Sequence, residues 1–222
     1  MDRDKIVRDF YQNYYDLVFS NGSSFSNWAY KQTHLSMERS LQGKHFERVL
    51  EIGAGNGEHF KFIRHTFESY LMVDQKEPSG QWDNGRGVEF LVSDVLSCDF
   101  EPESFDRIIM TCVLHHVSDP WLVLKRINSW LKVDGVFTLF LPSDPGMLNR
   151  LVRAIFVTPK SRNLGFTHYE LFNAFEHKNH YWGLEKQLRS AFLNCTIKTH
   201  YYPINIPLGN LSLFSVWNIE KN

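Results

Sequence analysis

A chain of 222 residues, 43% hydrophobic and 22% charged, is long enough to bury one sizeable core and lies far from a disordered composition. Its formal net charge of -1 lacks the basic balance of a general nucleic-acid binder, so no nucleic-acid partner is expected. Cys98, Cys112 and Cys195 are odd in number and never paired as CxxC, which argues against a disulfide framework or thiolate zinc site and fits a reducing cytoplasm.

The N-terminal stretch MDRDKIVRDF is charged from its second residue, unlike a signal peptide. No apolar run reaches membrane-spanning length, so a cytoplasmic protein without integral membrane association is expected. Ile6, Val7, Phe10, Tyr14, Leu17 and Val18 recur at helical spacing and predict an amphipathic helix over 3–19. NGSS at 21–24 breaks it, and a second helix is expected from about Trp28 to Leu41. The period then changes to short apolar runs, RVLEI (48–52), YLMVD (70–74), VEFLV (88–92), DRIIMT (106–111) and GVFTLFL (135–141). Helices are expected between several of them, at GEHFKFIRHTF (57–67) and at DPWLVLKRINSWL (119–131), the latter with Asp119 as N-cap and Pro120 in the first turn. The link over 75–87 is too short and glycine-rich for a long helix. Short buried runs alternating with helices indicate an α/β chain with a mostly parallel sheet covered on both faces. Residues 142–192 interrupt the alternation with short helices broken by Pro159 and Gly165. TIKTHYY (196–202) and LSLFSVWNI (211–219) form a final antiparallel pair.

The chemistry concentrates in VLEIGAGNG (49–57). A dinucleotide fingerprint, GxGxxG, needs a third glycine where Glu58 stands, and a pyrophosphate is poorly served by the carboxylate of Glu51 beside its cradle. An amino-acid ligand is better served, because Glu51 attracts an ammonium while backbone N–H groups at a helix start favour a carboxylate. Asp74, closing the second run, is placed to accept two ribose hydroxyls, and Asp94 to accept from an exocyclic amine. S-adenosylmethionine offers all of these groups.

The ordered set VLEIGAGNG, MVDQ, VSDV, FDRIIMTCVLHHVSDP and LKVDGVFTLFLP, over roughly 45–142, resembles the class I S-adenosylmethionine-dependent methyltransferases. The resemblance implies a Rossmann-like seven-stranded sheet with the final strand antiparallel. It also implies that Glu51, Gly53, Ala54 and Gly55 hold the methionyl part, Asp74 and Gln75 the ribose end, and Asp94 with Val95 the adenine, with Thr111 lining the methionyl end. Gln75 stands where the family often has an apolar residue. LHHVSDP is similar to the branch acting on small molecules; methyl transfer to an oxygen or nitrogen of a small molecule is the reading adopted, with a sugar or sugar-nucleotide as the specific acceptor expected within it.

His115 and His116 follow the fourth strand and are the candidates to deprotonate an acceptor. His168, Tyr169, His177 and His180 gather in the insertion as candidate pocket lining. HKNH places two histidines three apart, but no full ligand set is visible, so no metal is expected. Asp144 and Pro145 read as a helix cap and first turn, which puts Arg150 and Arg153 on neighbouring positions of one helix face. Such a pair suits an anionic small-molecule acceptor, with an anionic membrane surface as runner-up. The expected organisation is a single domain over 1–222, with N-terminal helices or lid (1–44), a cofactor-binding core (45–141), a helical substrate insertion (142–192) and the final strand pair (193–222). The rivals are a nicotinamide-dependent oxidoreductase, which Glu51 and Glu58 disfavour, and a non-catalytic cofactor-binding or partner-docking module.

Overall fold

The computed structural model describes residues 2–19, 24–78 and 87–222. Seven strands form one sheet: β1 (His45–Ile52), β2 (Thr66–Asp74), β3 (Val88–Val92), β4 (Phe105–Thr111), β5 (Leu131–Pro142), β6 (Cys195–Tyr202) and β7 (Phe214–Lys221). They lie in the order β3-β2-β1-β4-β5-β7-β6. The first five pair in parallel, and β7 runs antiparallel between β5 and β6. The five early strands and the antiparallel final pair therefore form as the sequence predicts. The order reverses between β1 and β4, which opens a crevice at the carboxyl ends of the strands where sheets of this type take ligands.

Alternation along each strand sorts the side chains onto two faces. Leu50 and Ile52 of β1 stand beside Ile108 and Met110 of β4, and their face packs beneath α4 (Pro120–Trp130) and α8 (Tyr181–Ala191). α4 starts as expected: Asp119 accepts from the Leu122 N–H at 2.9 Å, and Pro120 occupies the first turn, where no N–H is needed. The opposite face carries Val49, Tyr70, Met72, Ile109 and Phe140, which pack with Met37 at the end of α3 (Ser24–Glu38) and with Leu41 in the turn beyond it. The expected break at NGSS falls mostly outside the described residues, as does most of the 75–87 link.

The expected helix over 57–67 does not form. A four-residue turn, His59–Phe62, is all that separates the glycine loop from β2. His59 and His65 are instead drawn into a buried polar layer under α3. There Glu38 pairs with the guanidinium of Arg107, accepts from His59 Nε2 at 3.0 Å and accepts from the Arg64 N–H at 3.0 Å. Phe60 and Phe67 pack edge-on against Tyr70. With α3 seated against this turn and against β5 and β7, the sheet face is covered without a crossover helix.

The N-terminal helix runs continuously from α1 (Arg3–Asp9) through a wider turn at Phe10–Tyr14 into α2 (Tyr15–Phe19), matching the predicted 3–19. Its apolar side, Ile6, Phe10 and Val18, meets Phe166, Tyr169 and Phe172 of the insertion. The insertion comprises α5 (Met147–Val152), a wider turn at Arg153–Val157, α6 (Thr158–Asn163), α7 (Tyr169–Glu176) and α8. Pro159 stands in the first turn of α6, and Gly165, with φ 99°, lies two residues past its end.

Candidate functional site

The loop after β1 turns on three left-handed glycines, Gly53 (φ 71°), Gly55 (56°) and Gly57 (66°). At Gly53 the constraint is steric as well: a Cβ there would lie 2.0 Å from Val113 Cγ2, so the strand-end loops after β1 and β4 interlock through the missing side chain. The loop amides are already engaged. Gly53 and Ala54 donate to the Val73 carbonyl, Gly55 to Asp74, and Asn56 to the Glu58 side chain. The expected helix-start cradle for a carboxylate is therefore not what this loop presents, because no helix of useful length follows it.

Glu51 is 1% exposed and accepts the Tyr70 hydroxyl at 2.6 Å. Burial pushes its carboxyl up, against the opposing effects of His59 and Tyr70. It thus sits beneath the loop on the α3 face. Asp74 and Asp94 are half-buried at the carboxyl ends of β2 and just beyond β3. Asp74 accepts from the Gly55 and Lys76 N–H groups, one on each oxygen. Asp94 accepts from the Leu96 N–H at 2.8 Å and from Gln75 Nε2 at 2.9 Å. A carboxylate offers about four acceptor sites, so each acid is positioned by the protein and still has capacity for a ligand. That remaining acceptor capacity fits a ribose diol and an adenine amine, both of which donate. Val95 is buried in the core behind Asp94, and the Thr111 hydroxyl contacts Met37 Sδ at 3.5 Å.

Beyond β4 the structure makes a grouping that sequence spacing did not show. His115 and His116 meet His177, with ring centroids 4.0 Å apart for the adjacent pair, 4.4 Å for His115 and His177, and 5.3 Å for His116 and His177. His177 caps α7 and is held from behind by Asp144, which also pairs with Arg153. His116 Nδ1 lies 2.9 Å from the Glu176 carbonyl. A carbonyl only accepts, so that nitrogen carries the hydrogen and Nε2 is left as the basic atom. Burial, then the neighbouring histidines, holds His115 well below the usual imidazole range, and burial with His177 brings His116 down to about 4. Burial alone would raise Asp144, but the hydrogen bonds from His177 and Arg153 hold it below the usual carboxylate range.

Two expectations about the insertion are corrected. Asp144 does not cap the following helix, which starts at Met147 with Gly146 as its N-cap; its carboxylate turns inward to Arg153 and His177. Arg150 and Arg153 consequently do not act as a matched pair, since Arg150 is exposed on α5 while Arg153 is committed to Asp144. His168 is exposed at the start of α7, and Tyr169 is buried against Phe10, 5.6 Å between rings, so neither joins the histidine cluster. His180 lies elsewhere, lining a cavity of about 200 Å³ with Ser143, Asp144, Gly146, Tyr181 and Trp182. Ser143 Oγ is buried there with no partner among the described residues. Asp144 therefore stands between this cavity and the histidine cluster, a linking role that no local motif announces.

The sheet order, the glycine loop after β1 and the acids at the ends of β2 and β3 define a Rossmann-like methyltransferase fold. Residues 50–139, from the end of β1 into β5, match the model of the family described as a methyltransferase domain. It is 32% identical over 108 residues to malonyl-[acyl-carrier protein] O-methyltransferase of Chlorobium luteolum, a match covering 45% of this chain and 41% of that one. It is 31% identical over 111 residues to (S)-coclaurine N-methyltransferase of Papaver somniferum, covering 46% and 31%. The matches thus span less than half the length of these curated relatives. Among solved structures it is similar to the Burkholderia thailandensis 1,6-didemethyltoxoflavin-N1-methyltransferase bound to its acceptor and S-adenosylhomocysteine, with a TM-score of 0.60, 20% identity, and coverage of 99% of this chain and 88% of that one. Among the described residues no helix is long and apolar enough to cross a membrane.

Proposed function

We propose that the chain is an S-adenosylmethionine-dependent methyltransferase acting on an oxygen or nitrogen of a small molecule. The observation that carries this reading is the acid pair, Asp74 and Asp94, pre-positioned by the protein on neighbouring strand ends with acceptor capacity to spare. Asp74 and Gln75 would hold the ribose end and Asp94 and Val95 the adenine, while Gly53, Ala54, Gly55 and Thr111 line the methionyl side. Glu51 contributes from beneath the loop, where Tyr70 fixes it. The family match and the O- and N-methyltransferases among the relatives support the same class.

When bound, the cofactor supplies a methyl group already activated by a sulfonium. The chain's part is alignment and exclusion of water, which can supply much of the acceleration. The histidine cluster after β4 serves the remaining need, removal of a proton from an acceptor hydroxyl or ammonium. The cavity beside Asp144, with its unpartnered Ser143 hydroxyl and the Trp182 ring, is the acceptor pocket, and the layer in which the N-terminal helix (α1 to α2) packs against α7 of the insertion is its lid, while α3 and α8 cover the two faces of the sheet. An anionic acceptor, including a phosphorylated or nucleotide-linked sugar, is favoured by Arg150 and Arg162, both exposed on the same insertion. His168 belongs to the outer rim. Equilibrium dialysis with radiolabelled S-adenosylmethionine tests the reading. One site per chain, displaced by S-adenosylhomocysteine and not by NAD, is expected; absence of binding by folded protein rejects it.

A further inference from the structure

We propose that His115, His116 and His177 form a binding site for a divalent transition-metal ion of the zinc type. One ligand nitrogen from each ring lies within 4.8 Å of the others. The rings come from two segments far apart in sequence, the loop after β4 and the C-cap of α7, so the cluster is made by the tertiary fold and not by local spacing.

Three observations make it a built site. Two of the rings are oriented from behind by oxygen acceptors, His116 Nδ1 by the Glu176 carbonyl and His177 Nδ1 by Asp144, which leaves Nε2 of each to face a ligand. Protein sites fix metal-binding imidazoles in this way. The Asp144 carboxylate is itself anchored by Arg153, and the Glu176 residue is held through its side chain, which takes the Tyr11 hydroxyl at 2.9 Å. Next, His115 is 3% exposed and its Nδ1 has no hydrogen-bond partner among the described residues, an orphaned polar atom within the cluster. Finally, the cluster is closed on one side only: the side chains of His116 and His177 remain 31% and 23% exposed.

The ligand set decides the ion. Three imidazoles with no thiolate or direct carboxylate suit zinc, cobalt, nickel or copper and do not suit magnesium or calcium. Three histidines with an open fourth position are also the arrangement of zinc sites that admit an exogenous ligand. A tetrahedral ion at about 2.0–2.1 Å from each nitrogen needs the donors roughly 3.4 Å apart, so binding draws the rings together by small side-chain rotations. The ion's use in methyl transfer, drawing an acceptor oxygen or nitrogen to itself and easing loss of its proton to solvent in place of a histidine base, rests on the methyltransferase reading; the binding does not.

The test titrates untagged, chelator-stripped protein with cobalt(II), followed by its visible absorption, and with zinc in competition with a chromophoric chelator. Binding of S-adenosylhomocysteine is measured on the same preparations. One ion per chain is expected, with intense tetrahedral-type cobalt bands. His177→Ala and His116→Gln should each abolish those bands or weaken metal affinity by at least about tenfold, and Asp144→Asn by about 10–100-fold. His200→Ala, on the far edge strand, should leave the affinity unchanged. Native melting of each variant guards against loss of fold, and the two cluster variants stand in for one another if one fails to fold. A parent protein that melts natively yet shows no cobalt band and no zinc competition overturns the proposal, as does metal affinity unchanged in both His177→Ala and His116→Gln. Loss of cofactor binding with metal binding intact would instead count against the methyltransferase reading alone.

Discussion

The ring of His177 meets that of His115 edge to face, 4.4 Å between centroids at 70°, and Asp144 behind His177 fixes the meeting. Asp144 leaves the end of β5 5% exposed, and it answers two cations from the insertion at once. One carboxylate thereby ties the sheet to both α7 and the turn after α5. Asp144→Asn keeps the shape and removes the charge, so it should cost about 1–3 kcal/mol, the range for leaving buried charged hydrogen bonds unmet. Urea unfolding measures this, and stability equal to that of the parent would show that the tie is dispensable.

With an acceptor in hand, alanine at His115 or at His116 should reduce turnover by roughly 10²–10⁴-fold while S-adenosylhomocysteine still binds. His116 is the more accessible of the two. Near-normal turnover in both variants at every pH would leave alignment as the source of catalysis.

Gly53→Ala adds a Cβ at a left-handed φ of 71° and drives it into Val113, 2.0 Å away. The conformational cost is about 1–2 kcal/mol and the overpacking cost about 1–3 kcal/mol. The variant should melt several degrees lower and lose cofactor affinity, because the loops after β1 and β4 must part. Pairing it with Val113→Ala should restore part of the loss, and the absence of any restoration would contradict the interlock.

Acid should destabilise the fold in two stages. Burial holds His34 and His65 down to about 3 and about 4, so the unfolded chain binds protons that the folded chain refuses once pH falls below the ordinary imidazole value. Stability is then full at neutral pH and falls by about 1.4 kcal/mol per pH unit for each such group below about pH 6.5. Glu38 follows at lower pH. Burial would raise it, but the His59 hydrogen bond and the Arg107 charge hold it at about 2. Its contribution is present above the ordinary carboxylate range and is lost as pH drops towards that value. Urea midpoints from pH 8 to 4 should decline, and His65→Gln should flatten the upper part of the decline.

The sheet was legible because its central strands β1, β4 and β5 are mostly buried on both faces and read as short apolar runs whose order admits few topologies. Asp119-Pro120 was legible because capping chemistry is local. The helix over 57–67 was misread for the opposite reason. Its Phe60, Phe62, Ile63 and Phe67 have helical spacing, yet tertiary partners, Tyr70 for the rings and Glu38 for His59, decide their conformation. Asp144-Pro145 likewise has the residue types of a cap, but a carboxylate can serve only where its partners are, and Arg153 and His177 lie inward. The adjacent pair His115 and His116 was visible as a candidate, whereas His177 joining them was not, because an entire helical insertion separates the two segments. HKNH drew attention to His180, which faces the cavity instead.

The central claim is that the acids at the strand ends hold an adenosyl cofactor, and a calorimetric titration of S-adenosylhomocysteine into the parent and into Asp74→Ala tests it most directly. Saturable binding by the parent is expected, weakened in Asp74→Ala by about 1–3 kcal/mol, the cost of losing a buried polar partner, with no heat from NAD or NADP. Binding of NAD but not S-adenosylhomocysteine by the parent, or equal affinity for S-adenosylhomocysteine in a folded Asp74→Ala variant, would contradict the account.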